Sequence, residues 1–493
     1  MPYVTLRGFG ATARAALPRN GSDQPFREPI LSSFAHLSTD VASHSAAHTV
    51  LLTGVRGLLT CDSGEVVQGI VDFVVSQRGW LRWLSRALQR AGNTPLATVV
   101  MLVNSFRCYA GISIAGDGDI IVAARRPNER RAVAELRRML PERSWTDVVF
   151  RWRPVTIAQA LARSAPTIVG DARRTARLAR RVRRRYGVFA GIRVLELLAY
   201  YRRYGELLER RRPRLAVMSS HSNPHGIALN LAARRAGVPV VLVTHGMPIA
   251  PVAQLHYELA LLECEASRVT YAEAGCRIGT VVIKSRRGDR EPMRSLSRTP
   301  AFTAGVFLSK DPVPDRVMSC LRAFLADRRI VTVLIRPHPV NLWRGLADAI
   351  ASLQTTRVEL PSPGQLTNDL RRCDLIVAGN STVLLDSVVA GRPACYVRGF
   401  DHGPYDVQSF VRDGVVYELT DLRAIDCDAI TSFYARPDWR QALSRYADTD
   451  RPAEEVAADV RVAVSALIGS ALDPASEEQA FSDLRSVRET STP

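Results

Sequence analysis

The sequence predicts an α/β protein built from two Rossmann-like, doubly wound lobes behind an N-terminal extension. Three observations lead there. Short apolar runs alternate with stretches of helical spacing, first over residues 119–284 and again over 304–397; this alternation marks βαβ units on a parallel sheet. A charged stretch, SRRGDREPMRSLSRTP at 285–300, divides the two series and reads as a linker. Polar clusters recur directly after the apolar runs, where open parallel sheets hold ligands. A chain of 493 residues is long enough for more than one such core.

The elements follow in order. Residues 1–110 form an extension with one helical segment, Val66–Ala91, marked by Ile70, Phe73, Val74, Trp80, Trp83 and Leu84. The first lobe covers 111–290. IIVAA reads as a buried strand, Glu129–Met139 as a helix and DVVFRW as a strand; Asp117-Gly118-Asp119 is a turn before the first of these rather than a metal-binding acidic pair. Eight arginines crowd Arg173–Arg185, followed by an amphipathic segment, Val188–Leu208. Then come RLAVMSS, a helix over Ile227–Ala236, VPVVLVT, a short strand Leu259–Glu263, a helix Ala266–Gly275 and GTVVIK. The second lobe covers 301–470: AGVFLS, a helix Asp315–Asp327, IVTVLIRPHP, a helix Pro363–Arg372, DLIVAG, a helix Ser381–Ala390 ended by Gly391, and PACYV. Residues 471–493 are a polar tail.

Composition narrows the function classes. Hydrophobic residues make up 46% and charged residues 23%, which fits a globular chain and not a disordered one. The net charge of +18 suits anionic partners. Only Lys284 and Lys310 are lysines, so the excess of Arg equally fits a GC-rich genome. The Arg173–Arg185 stretch is a solvated helix face or a peripheral contact with anionic membrane. No nucleic-acid motif accompanies it, so nucleic acid is not an expected partner. The eight cysteines form no C-x-x-C pair and no zinc-site spacing. With no signal peptide and no apolar run of spanning length, a cytoplasmic location is expected, with any membrane contact peripheral.

Four polar clusters carry the candidate chemistry: Ser219–His225, Thr244–Pro248, Arg336–Asn341 and Gly379–Thr382. At the last, Gly379 permits close backbone approach, and Ser381 and Thr382 offer hydroxyls at a helix start suited to phosphate. Asp386 lies one turn in, near a ribose or simply supporting the helix start. In RPHP, Arg336 offers a planar fork for phosphate and His338 a hydrogen bond or a charge, between two prolines that restrict the backbone.

These residues resemble a known group. RPHP, followed by CDLIVAGNSTVLLDSVVAGRPACYV, resembles the donor lobe of GT-B transferases that act on cell-surface polymers, and above all the CDP-glycerol glycerophosphotransferase and capsule-polysaccharide transferase family. Ser381, Thr382 and Asp386 fall on that family's D-Y-S-S-x-x-F-D stretch, Gly391-Arg392-Pro393 on its G-R-P, and His245-Gly246-Met247-Pro248 on its H-G-x-P turn. Gly379-Asn380 stands where the family has Asp-Tyr, and Ile249-Ala250 where a Lys is common. The pairing of HP with Ser-Thr is also similar to sialyltransferases and Kdo transferases that use CMP-sugars, without their D/E-D/E-G tripeptide.

The resemblance implies a glycosyltransferase moving a sugar from a nucleotide-activated donor, of CMP or CDP type, to a cell-surface polysaccharide or its precursor. Arg336, His338, Gly379, Asn380, Ser381, Thr382 and Asp386 would hold the donor. His245 would be the general base, with Glu263 in reserve. The donor nucleotide would be a substrate; no obligate cofactor or metal is expected. The partners would be a nucleotide-sugar or CDP-polyol donor and a glycan or lipid-linked acceptor. Two alternatives stand beside it: transfer of a polyol phosphate from a CDP donor, and a non-catalytic nucleotide- or glycan-binding scaffold or epimerase-like protein.

Overall fold

The computed structural model describes residues 108–109, 111–150, 192–248, 252–284, 291–339, 343, 345–361, 366–403, 405–422, 425–447 and 452–470. All belong to one compact unit, Thr53–Pro493. The Val66–Ala91 helix, the Arg173–Arg185 stretch and the tail from 471 lie outside the described residues.

The first lobe runs β1 (Ile112–Ala115), β2 (Ile120–Ala123), α1 (Pro127–Met139), β3 (Trp145–Phe150), α2 (192–211), β4 (Leu215–Met218), α3 (Pro224–Arg235), β5 (Val240–Val243), β6 (His256–Leu262), α4 (Glu265–Glu273) and β7 (Arg277–Ile283). Its seven strands lie in the order β1-β3-β2-β4-β5-β6-β7. Only the β1–β3 pair is antiparallel. β2, β4 and β5 are buried along their whole length. That is why they read as unbroken Val/Ile/Leu runs: strands covered on both faces show no alternation.

The second lobe runs β8 (Phe302–Phe307), α5 (Pro314–Ala326), β9 (Ile330–Arg336), α6 (Leu346–Ala351), β10 (Val358–Glu359), α7 (Leu366–Arg372), β11 (Leu375–Ala378), α8 (Val383–Val389), β12 (Ala394–Tyr396), β13 (Tyr417–Glu418), α9 (Cys427–Tyr434), α10 (Trp439–Ser444) and α11 (Ala453–Ser470). The order β10-β9-β8-β11-β12-β13 is entirely parallel. Counted within the lobe it is 3-2-1-4-5-6, the doubly wound Rossmann order, so the chain reverses direction between β8 and β11. Gly391, at φ 68°, closes α8 in the left-handed conformation that glycine adopts without a Cβ penalty.

The predicted α/β class with two doubly wound lobes is the observed one. β1, β10, β13 and the helices after β13 add to the elements read from sequence. The last helix, α11, packs on the first lobe. Val456, Val460, Val464 and Ile468 form a stripe at spacing four and join the first-lobe core around Ile120, Val122, Leu215 and Leu259. Arg143 Nη2 also donates to Ser465 Oγ at 3.0 Å.

Candidate functional site

In a doubly wound sheet the crevice at the direction reversal is where ligands sit. In the second lobe that crevice lies between β8 and β11, so Leu308–Lys310 and Gly379–Ser381 form its two lips. β9, carrying Arg336 and His338, flanks β8 on the other side, with Leu308 N–H donating to the Arg336 carbonyl at 2.9 Å. Lys310 therefore stands between the two sequence motifs. It was absent from the candidates because no motif surrounds it. Burial lowers its pKa; Asp311 raises it and Arg126, from the first lobe, lowers it. The Ser309 hydroxyl beside it is buried without a hydrogen-bond partner.

The predicted donor residues divide by what they already do. Arg336 is ion-paired with the buried Asp369 on α7. This bond fixes the end of β9 and makes the guanidinium part of the lobe's own framework. Asn380 is likewise engaged: its amide nitrogen donates to Asp401 Oδ1 at 2.9 Å and its amide oxygen accepts from Val407 N–H at 3.0 Å. Asp401 also accepts from the backbone of Asn380 at 2.6 Å and Gly403 at 3.0 Å, tying the two loops together. A Cβ on Gly379 would come within 2.3 Å of Asp401 Oδ2, which explains the glycine where the related motif has an acid. Ser381 Oγ accepts from Val383 N–H at 3.3 Å. Thr382 precedes α8 without a side-chain cap bond and Asp386 is partly exposed within it. His338 is exposed, yet desolvation of its ring and then the charge of Lys310 hold its pKa below the ordinary imidazole value.

In the first lobe the loops after β4 and β5 come together. His245 is exposed, and its Nδ1 lies 2.9 Å from the Ser219 carbonyl oxygen and 3.2 Å from Ser219 Oγ. A carbonyl only accepts, so Nδ1 carries the proton and Nε2 keeps the lone pair. The turn itself is fixed from behind. Thr244 N–H and Oγ1 both donate to the Leu261 carbonyl at 3.0 Å. Lys284 Nζ donates to the Thr244 carbonyl at 2.8 Å. Glu263, the reserve base, pairs with that same buried Lys284 at 3.0 Å, with Glu135 further off at 3.5 Å. Glu263 thus balances the buried ammonium that holds the His245 turn from behind.

At the reversal between β2 and β4 a second cluster forms. The fully buried Glu129 accepts from the backbone N–H of Arg125 at 2.7 Å and of Arg126 at 3.0 Å, so α1 begins on a side-chain cap. Arg126 Nη2 donates to Asn223 Oδ1 at 3.3 Å, crossing from the β2 loop to the β4 loop. His225 is buried at 3.9 Å from Glu129, edge-on to Phe150 and Tyr200, with neither ring nitrogen hydrogen-bonded. Burial is the main cause that lowers its pKa to about 4, against a partial rise from Glu129.

This gives an acid sensitivity with a definite sign. The unfolded chain, with imidazole at about 6.5, binds a proton that folded His225 refuses. Its contribution is therefore fully present above about pH 6.5 and is lost as the pH falls towards about 4, a difference of about 3 kcal/mol by linkage. The urea midpoint of the wild type is expected to fall more steeply than that of His225→Phe as the pH drops through that window. Parallel curves would contradict it.

Among the described residues no group of three or more His, Cys, Asp or Glu has the arrangement to hold a metal ion. Nor is any described helix long and apolar enough to cross a membrane.

No protein-family model and no curated protein matches the sequence. Solved structures do resemble it. The calicheamicin glycosyltransferase CalG4 is similar over 71% of this chain and 98% of its own, at 17% identity and a TM-score of 0.43. UDP-GlcNAc 2-epimerase from Neisseria meningitidis, bound to UDP-GlcNAc, is similar over 70% and 98%, at 11% identity and 0.39. The MnaA–UDP structure from S. aureus is similar over 68% and 93%, at 12% identity and 0.38.

Proposed function

We propose that the chain is a glycosyltransferase of the GT-B type that holds a nucleotide-activated sugar, of CMP or CDP type, on its second lobe and transfers the sugar to a hydroxyl of a cell-surface polysaccharide or its precursor. One observation carries this reading: the loop after β8 brings Lys310 beside the His338 ring on the second lobe and within electrostatic reach of Arg126 on the first. Like charges brought together from two sheets favour an anion between them, and a pyrophosphate or phosphate ester is such an anion.

Lys310, His338, Thr382 and the backbone at Ser381 then stabilise the charge that grows on the departing nucleotide phosphate, the place where fixed donors accelerate most. Arg336 and Asn380 act by holding the strand ends, through Asp369 and Asp401. His245 takes the acceptor proton at Nε2. The acceptor oxygen bonds to the anomeric carbon as the carbon–oxygen bond to phosphate breaks, and that electron pair leaves with the nucleotide. The Arg173–Arg185 stretch offers peripheral contact with an anionic membrane that would carry a lipid-linked acceptor.

A thermal-shift series with CMP, CDP, UDP, GDP and ADP tests the reading. At about a hundredfold excess over Kd, a binding nucleotide adds about 2.7 kcal/mol. The cytidine nucleotides are expected to raise the melting temperature most, and Lys310→Ala and His338→Ala to abolish the rise. A phosphate raises the lowered pKa of His338, so binding takes up a proton and affinity is expected to increase as the pH drops below neutrality. Indifference to every nucleotide would sink the proposal. Interconversion of a nucleotide sugar without any acceptor would replace transfer by epimerisation.

A further inference from the structure

The loop after β4 and the turn after β5 lie on adjacent strands, and each brings one imidazole to the same edge of the first lobe. The two rings are held in opposite ways. His245 donates through Nδ1 to the Ser219 carbonyl, 2.9 Å away, leaving a lone pair on Nε2. His221 Nδ1 lies 2.8 Å from the hydroxyl of Tyr271, on α4. That tyrosine is fully buried, and its ring stands edge-on to the imidazole, with centroids 5.3 Å apart and planes at 85°. A phenol gives up a proton far more readily than a neutral imidazole N–H, so Tyr271 is the donor and the imidazole proton resides on Nε2. Burial lowers the pKa of His221 to about 4, and the nearby His245 pushes it the same way. His221 is partly exposed, so the ring is fixed at one nitrogen and not sealed in the core.

We propose that His221 is a second substrate-contacting residue of the transfer site: locked by Tyr271 as an Nε2–H donor, it grips an oxygen of the acceptor next to the hydroxyl that His245 deprotonates. A lone pair on one imidazole and an N–H on its neighbour match a hydroxyl flanked by a second oxygen, the vicinal diol of a sugar or polyol. This rests on the transferase reading and adds the acceptor class to it. The proton balance is simple: the reacting O–H gives its proton to His245 Nε2, while His221 keeps its own throughout.

The test uses the full chain labelled with 15N-histidine, with the two rings assigned from His221→Gln and His245→Gln. Imidazole spectra at neutral pH are expected to show His221 protonated at Nε2 and His245 at Nδ1. Tyr271→Phe should release His221 into mixed tautomers. In transfer assays with CDP- and CMP-sugars, His221→Ala is expected to raise the acceptor KM roughly tenfold or more, the loss that follows when a polar contact goes unmade. Donor KM should stay unchanged, and His221→Gln, which keeps an N–H, should recover part of the loss. A proton on Nδ1 of His221, or a charged ring at neutral pH, overturns the inference. An unchanged acceptor KM in His221→Ala, with turnover lost in His245→Gln, overturns it and leaves the transferase reading standing. Turnover unaffected in both variants removes both.

Discussion

His245→Gln is expected to lower sugar transfer by about 10²–10⁴-fold, the range that a positioned general base contributes. Nucleotide binding, measured by the same thermal shift, should not change, because in the proposed arrangement His245 meets the acceptor and not the donor phosphates. An unchanged nucleotide-induced thermal shift separates loss of a base from loss of shape. The effect is large because the geometry does half the work beforehand. Ser219 already holds Nδ1–H, so the ring spends no time in the tautomer that presents the wrong nitrogen. If activity survives the substitution, another group is the base. If no nucleotide sugar is ever consumed by the wild type, the scaffold alternative gains.

The second large effect concerns stability. Glu263→Ala leaves the Lys284 ammonium, only 6% exposed, with Glu135 at 3.5 Å and the Thr244 carbonyl as its remaining partners. Removing one partner of a buried ion pair costs about 3 kcal/mol, because the other charge stays dehydrated. A lowered urea midpoint is expected. Lys284→Met with Glu263→Leu should recover most of that stability, since an apolar pair carries no such debt of solvation. The double variant also lacks the bond to Thr244, so its turnover should remain depressed even when it is as stable as wild type. Equal stability of Glu263→Ala and wild type would show that Glu135 and water suffice.

How much of this was legible in the sequence depends on distance along the chain. β2, β4, β5, β8 and β11 announced themselves, because a strand buried on both faces must be apolar throughout. The glycine ending α8 was equally readable from its position. What escaped was pairing between remote residues. Arg336 reads as a phosphate ligand from sequence, and its pairing with Asp369, thirty-three positions away, is not visible there. Glu263 reads as a reserve base, and its pairing with Lys284 is equally hidden. β1 is a four-residue strand whose last residue is exposed, too short to show a period. Lys310 had one unused signal. It and Lys284 are the chain's only lysines among dozens of arginines, and both follow strands. A compact ammonium fits where a guanidinium fork does not.

The return of α11 to the first lobe has a mechanical consequence. The chain passes from first lobe to second after β7 and comes back before α11, so two covalent tethers join the halves. A single tether would allow the lobes to swivel and drift apart. With two, swivelling of one lobe on the other is resisted. Removing residues from 453 onward would therefore do more than bare the apolar first-lobe surface that Val456, Val460, Val464 and Ile468 cover. It would leave the two halves joined by a single tether.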